Sequence, residues 1–322
     1  VEAADGQIMS DAELIRQLRA AHGLLRDRLL TERTAEGYWV GRLSSSALST
    51  ATAVSALSQV DRQGYASLIA GGIAWLAAHQ NADGGWGDTA DSPSNLATTM
   101  LCRAALRMAG AEDRESRCVA QAEAWITAQG GATVETRLAA LRGIYGEDRT
   151  FVVPILMNCA LADMVPWSAI PNLPFELARI PHRWLRLLRA HVVSYALPAL
   201  IAIGQLLHAK HPSGAPPVRW LRNRSIEPTL HKLRAIQPAT GGYIEAVPLT
   251  SFVAMSLAAA GRRDHAVVEH GCRFLVDSVR PDGSWAIDSN LSVWVTTQAI
   301  KALAAGPDEP PVDLATTRAW IA

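Results

Sequence analysis

The side chains with the most chemical potential in this 322-residue chain are its carboxylates, histidines, cysteines and ten tryptophans, and their spacing rules out several chemistries at once. Nine histidines form no HExxH pair, and His208 with His211 alone does not make a metal site. No DDxxD, GxSxG or phosphate-binding loop occurs, so no anchor for magnesium, nucleophilic serine or nucleotide is visible. Neither a metal nor a cofactor is expected. Cys102, Cys118, Cys159 and Cys272 are far apart and form no CxxC, and they read as small buried side chains. The closest approach to a carboxylate cluster, Asp88-Thr89-Ala90-Asp91, sits where a helix cap is the simpler role. Trp167, Trp184 and Trp220 lie in a proline-rich stretch with Arg183, Arg186 and Arg189. Apolar anchors beside cations suit a membrane interface, and they equally suit an apolar packing layer between two barrels.

The elements that must carry these residues are helical. Ala, Leu and Arg dominate, alternating β-branched segments are scarce, and apolar residues recur at helical spacing in Leu14-Ile15-Leu18-Leu24-Leu25 and Ile73-Leu76-Ala77. Between the helical runs one punctuation returns: Gly37-Tyr38-Trp39, Asp83-Gly84-Gly85-Trp86, Gly241-Gly242-Tyr243 and Asp282-Gly283-Ser284-Trp285. The spacing leaves room for two helices of about a dozen residues plus their turns, so helical hairpins stacked side by side are implied. Asp-Gly supplies a turn that tolerates positive φ, and the aromatic is expected to pack over the first turn of the following helix. Trp39, Trp86, Tyr243 and Trp285 are therefore structural, as are Trp75 and Gln80, whose amide can bond backbone groups freed at a helix end. Between Phe151 and Pro228 prolines at positions 154, 166, 171, 174, 181, 198, 212, 216 and 217 break the rhythm, and an irregular, loop-rich region is expected.

Equal numbers of basic and acidic residues, 30 each, give no footprint for nucleic acid. The acidic, polar start shows no signal peptide, and Val192 to Leu207 is too short and interrupted for a bilayer span, so a cytoplasmic location is the default.

The pattern Gly-x-x-aromatic-Leu-x-x-x-Gln-x-x-Asp-Gly-Gly-Trp at Gly72 to Trp86 resembles the QW repeat of squalene–hopene and oxidosqualene cyclases, the class II terpene cyclases. A second copy runs from Gly271 to Trp285, and a degenerate one holds Trp125-Ile126 with Gln129-Gly130-Gly131. The stretch Met164-Val165-Pro166-Trp167, Ile170 to Glu176 and Ser194-Tyr195-Ala196 resembles the segment of those cyclases that joins two barrels and borders the cavity. The resemblance implies an all-α (α/α) barrel of repeated helical hairpins, a toroid of the terpenoid cyclase and prenyltransferase type. It divides the chain into an N-terminal helical segment (1–35), an inserted-type barrel (36–235) with a connecting, membrane-facing region (151–228), and the start of a second barrel (236–322). It further implies a monotopic protein on the inner face of a membrane that folds squalene or another isoprenoid hydrocarbon.

Members of this family protonate an alkene or epoxide with the middle aspartate of Asp-x-Asp-Asp and steer the resulting cations with aromatic faces. By residue matching, Trp167, Tyr195 and Trp294 fall where family aromatics border the cavity, and each also fits plain core packing. Asp-x-Asp-Asp does not occur in the sequence. The segment Leu291 to Thr297 resembles the helix one repeat ahead of the acid, with Val295 where the family has aspartate. Alternatively it occupies the acid position itself. On the first reading the acid is expected outside these residues, in a further stretch or a second polypeptide. The competing expectation is a non-catalytic barrel that binds isoprenoid lipid or serves as a partner subunit.

Overall fold

The structure, a computed structural model, describes residues 10–146, 149–180, 196–289, 291–305 and 314–321. The chain forms two compact units, one from Leu43–Ser289 and one from the flanking segments Val1–Arg42 and Asn290–Ala322.

The Leu43–Ser289 unit is a double layer of helices. Its inner helices are α2 (Ala47–Asp61), α4 (Leu96–Met108), α7 (Arg149–Leu161), α8 (Leu197–Lys210) and α10 (Val247–Ala259). Each packs on the next, α2 on α4, α4 on α7, α7 on α8 and α8 on α10, and α10 returns to α2, so the inner layer closes into a ring. Outside it lie α3 (Ala66–Ala78), α5 (Ser116–Gly130), α6 (Val134–Tyr145), α9 (Pro216–Ile236) and α11 (Ala266–Ser278). α3 backs α2, α5 backs α4, α9 backs α8 and α11 backs α10. The sequence explains the layering. α2 is buried around its whole circumference, at Ala47 and from Ser49 through Leu57, because its Ala, Ser and Thr side chains let helices approach on every side. The outer helices bury one stripe only.

The only sheet among the described residues pairs β1 (Ser45–Ser46) antiparallel with β2 (Trp285–Ala286), which ties the two ends of the unit together. The hairpin α10–α11 belongs with the preceding helices, because α10 packs on both α8 and α2. The proline-rich middle is also more regular than its composition implies. Pro154 and Pro228 lie inside α7 and α9, and Pro198 and Pro216 sit in first turns, where the missing N–H costs nothing. Among the described residues of this region, irregular backbone lies at 162–180, with short 3₁₀ turns at Trp167–Ala169 and Phe175–Arg179, and at 211–215. Buried Arg222 on α9 pairs with Glu176 at 3.1 Å and pins the second of these turns.

The other unit comprises α1 (Asp11–Thr31), the turn before Trp39, α12 (Ser292–Ala304) and α13 (Leu314–Ile321). Its core is small: Trp39, Ala299 and Leu303, with Leu29, Leu30, Val295 and Ile300 against them. No residue of α1 is buried.

Candidate functional site

Four aromatic turns organise both units, and they share one bonding scheme. The ring group of each aromatic donates to a carbonyl ten residues earlier: Trp39 Nε1 to Leu29, Trp86 Nε1 to Leu76, Tyr243 Oη to Leu233 and Trp285 Nε1 to Leu275, at 2.6 to 3.0 Å. The backbone N–H of the same residue donates to a buried threonine hydroxyl at 3.0 Å, from Trp39 to Thr296, Trp86 to Thr99, Tyr243 to Thr250 and Trp285 to Thr50. The ring donor and the backbone donor of each buried aromatic thus both have a partner, which is what makes the burial favourable.

A glycine two residues before each aromatic has φ between +86° and +91°. A Cβ at Gly84 would lie 2.9 Å from the Gln121 carbonyl oxygen on α5, and one at Gly283 would lie 2.8 Å from the Gly71 carbonyl on α3. Conformation and close approach both demand glycine here.

Two of the four turns do not pack on the helix that follows them in sequence, contrary to expectation. The Trp285 turn docks on α2, and the Trp39 turn docks on α12. The physical reason is closure: in the Leu43–Ser289 unit the last turn meets the first inner helix.

The Gln80 amide donates to Gly84 O at 2.8 Å, within its own turn, and to Cys118 O at 3.0 Å, in the first turn of α5. Gln237 repeats this, donating to Gly241 O at 2.9 Å and Val267 O at 3.1 Å. Arg33 takes the same place before Trp39, donating to Gly37 O at 3.2 Å and to Thr317 Oγ1 at 2.6 Å. The repeat pattern singles out neither Gln237 nor Arg33, although each stands six positions before its aromatic, as Gln80 does. The four threonines carry no local signal beyond their recurrence in small-residue helices.

Trp75 is buried and stacks on His79 with centroids 4.1 Å apart. Asp83 accepts from Ser94, the Gly85 N–H and Trp125 Nε1. Burial alone raises its carboxyl, but these hydrogen bonds outweigh burial and hold it below the ordinary value; Asp282, with Ser284 and Ser45, behaves alike.

Trp167 is half-buried, with Lys210 Nζ 5.9 Å from its ring centroid. Trp294 lies on α12 and is 61% exposed. Tyr195 lies outside the described residues, as do Trp184, Arg183, Arg186 and Arg189. Asn95, not Asp88, caps α4, its side chain accepting from the Thr98 N–H at 2.9 Å, while Asp88 accepts from Asn95 Nδ2 at 2.8 Å and Thr98 Oγ1 at 2.6 Å. Burial pushes the Asp288 carboxyl up, toward the protonated form. Burial also raises the thiols, Cys118 and Cys272 to about 11 and Cys159 to about 12, which removes them as nucleophiles. Among the described residues no group of three or more His, Cys, Asp or Glu is placed to hold a metal ion.

Helical hairpins in two layers, closed by recurring Gly-aromatic turns, define an (α/α) barrel of the terpene cyclase type. Residues 24–217 match the squalene–hopene cyclase N-terminal domain, and the chain belongs to that family. Enfumafungin synthase efuA of Hormonema carpetanum is 30% identical over 183 residues, 51% of this chain and 12% of that protein. The terpene cyclase–glycosyl transferase fusion protein fsoA of Humicola fuscoatra is 30% identical over 177 residues, 54% of this chain and 12% of its own length. The match thus spans 12% of either relative's length. A variant of the type II terpene cyclase MstE from Scytonema, solved with geranylgeranyl dihydroxybenzoate, is 18% identical with a TM-score of 0.35, covering 84% of this chain and 81% of that one.

Proposed function

We propose that this chain is part of a class II terpene cyclase that acts on squalene or a related long polyprenyl chain, with the protonating acid supplied outside these residues. The observation that carries the reading is the family match over residues 24–217, in a chain whose sequence holds no Asp-x-Asp-Asp. In this reading the acid protonates a terminal alkene, the neighbouring double bonds attack in turn, and loss of a proton ends the cascade. No oxidant, metal or cofactor takes part. Trp167, Tyr195 and Trp294 contribute π faces that stabilise cations without capturing them. The turn residues Trp39, Trp75, Gln80, Trp86, Tyr243 and Trp285 hold the scaffold.

Contact with one membrane face belongs to the same reading, since a hydrocarbon substrate partitions into lipid. Trp220 on α9 supports it, being 62% exposed with the Arg224 guanidinium 5.5 Å from its ring centroid. No helix among the described residues is long and apolar enough to cross a membrane.

Incubation with squalene tests the proposal. The chain alone is expected to give no cyclised product, and the chain with a polypeptide carrying Asp-x-Asp-Asp is expected to give one. Product from the chain alone, abolished by Asp288→Asn, Asp88→Asn or Asp91→Asn, would overturn the claim that the acid lies elsewhere. No product in either case favours a non-catalytic barrel that binds isoprenoid lipid or serves as a partner subunit.

A further inference from the structure

The inner helices of the Leu43–Ser289 unit turn one side to the outer layer and the opposite side to the bore of the ring. On α2, Thr50 and Val54 lie against Gly72 of α3, and on α10, Thr250 and Ala254 lie against Gly271 of α11. On α4, Arg103, four residues after Thr99, reaches Glu123 of α5 at 3.0 Å. Each threonine that receives an aromatic N–H, and the residue four after it, thus faces outward. At 3.6 residues per turn, the residues five and nine after it face the bore. These are Ser55 and Gln59 on α2, Ala104 and Met108 on α4, and Met255 and Ala259 on α10. On α7 the side facing the bore is marked by two contacts. Met157 accepts from Ser256 Oγ of α10 at 3.7 Å, and Leu161, four residues on, lines a cavity of about 320 Å³ together with Gln59 and Met108. That cavity is the mouth of the bore, and the exposed Arg107 and Asp163 on its rim open it to solvent.

One helical turn below this mouth lie Ser55, one turn before Gln59, and Asn158, one turn before Leu161. Both are wholly buried, and Asn158 Nδ2, Asn158 Oδ1 and Ser55 Oγ have no hydrogen-bond partner among the described residues. Ser58, which lines the mouth itself, likewise has a buried Oγ without a partner. In the ring α4 stands between α2 and α7, and at this depth it presents Ala104, whose single methyl leaves room between the amide and the hydroxyl. A buried primary amide with both its donor and its acceptor unpaired is costly, and proteins satisfy such groups. The chemistry of the set chooses the partner. All three side chains are neutral, and together they offer donors and acceptors side by side, so the set suits neither a metal ion nor an anion. Water donates and accepts, and it fits a gap of this size. We infer that the bore holds a short file of ordered water, with one molecule bound between Asn158 and Ser55 and another at Ser58 that joins the first to the mouth. The inference rests on helix register and on these polar groups, and it stands whether or not the cyclase reading holds.

Nuclear Overhauser transfer from water to the Asn158 side-chain amide tests this on the purified, isotope-labelled chain without any substitution. A cross-peak with the sign of a bound molecule is expected. Transfer from Ser55 protons with none from water would show a direct amide–hydroxyl contact and overturn the inference. Oxygen-17 relaxation dispersion, which registers waters held longer than the protein tumbles, supplies the second measurement. Asn158→Leu, close in shape, should lower the dispersion amplitude; Ser58→Ala should lower it less and leave the Asn158 cross-peak in place. Ala104→Leu fills the gap without touching either polar group, and it should remove the cross-peak. An unchanged amplitude in natively helical Asn158→Leu, a persistent cross-peak in natively helical Ala104→Leu, or a small molecule other than water retained in native mass spectrometry would contradict the assignment. Where a variant fails to fold, the cross-peak of the parent chain decides.

Discussion

Trp285 donates its backbone N–H to Thr50 Oγ1 at 3.0 Å, across 235 positions of chain, and this bond closes the inner ring of the Leu43–Ser289 unit. The same threonine hydroxyl donates to Ser46 O at 2.7 Å, so both its donor and acceptor capacities are used. Thr50→Val keeps the shape and leaves a buried N–H unpaired, at a cost of about 1–3 kcal/mol. Trp285→Ala removes a fully buried indole and should cost about 3–5 kcal/mol. Urea denaturation of the two variants checks the order; equal stability of Thr50→Val and the parent chain would remove the closing role of this contact.

The backbone on either side of Tyr243 places opposite demands on nearby residues. Gly241 has φ of +88°, and a Cβ there would run into the His270 carbonyl oxygen, so Gly241→Ala should destabilise by more than about 1 kcal/mol. Three residues on, Ile244 holds φ of +47° with its side chain 60% exposed, a conformation that a β-branched residue adopts only under constraint. Asn tolerates that conformation, and Ile244→Asn should raise stability by up to about 1 kcal/mol. Thermal melts of both variants show whether the signs are opposite.

Gln237 is predicted to matter as much as Gln80. Each amide bonds one carbonyl in its own turn and one at the next outer helix. Replacing either with Leu frees two carbonyls and should cost about 1–3 kcal/mol. A loss at Gln80 with none at Gln237 would separate the two repeats.

How far the sequence led differs between elements. The helices, the glycine turns and the burial of Trp39, Trp86, Tyr243 and Trp285 follow from local spacing, because turn conformation and helical periodicity are local properties. Gln237 is hidden because its turn reads Pro-Ala-Thr-Gly-Gly-Tyr and lacks the Asp-Gly signature around Gln80. Which helix the Trp39 and Trp285 turns dock on is not legible in the sequence. Trp285 precedes α12 in sequence and packs on α2, and nothing within a dozen residues of Trp285 specifies Thr50. The cavity aromatics are named by family resemblance, and the exposure of Trp294 and the half-burial of Trp167 depend on tertiary neighbours that no local pattern encodes.

The aspartates of the turns set an acid limit on stability. Asp83 and Asp282 are held below the ordinary aspartate value of 3.8 in the folded chain. A depressed folded value means the stabilising contribution is complete above the unfolded value and is lost as pH falls through the folded one. Stability should therefore decline below about pH 4, and Asp83→Asn with Asp282→Asn should flatten that limb. Asp288, raised by burial, acts oppositely and favours the fold as it takes up a proton. Denaturation midpoints measured from strongly acidic to neutral pH report the slopes; an unchanged limb in the double variant would assign acid sensitivity to other carboxylates.

The most direct measurement supplies squalene in D₂O to the chain, alone and together with a polypeptide carrying Asp-x-Asp-Asp, and analyses the hydrocarbons by mass spectrometry. The account predicts a cyclised product only when both polypeptides are present, carrying one deuterium from the protonation step. A cyclised product from this chain alone, or a product without deuterium, would contradict it.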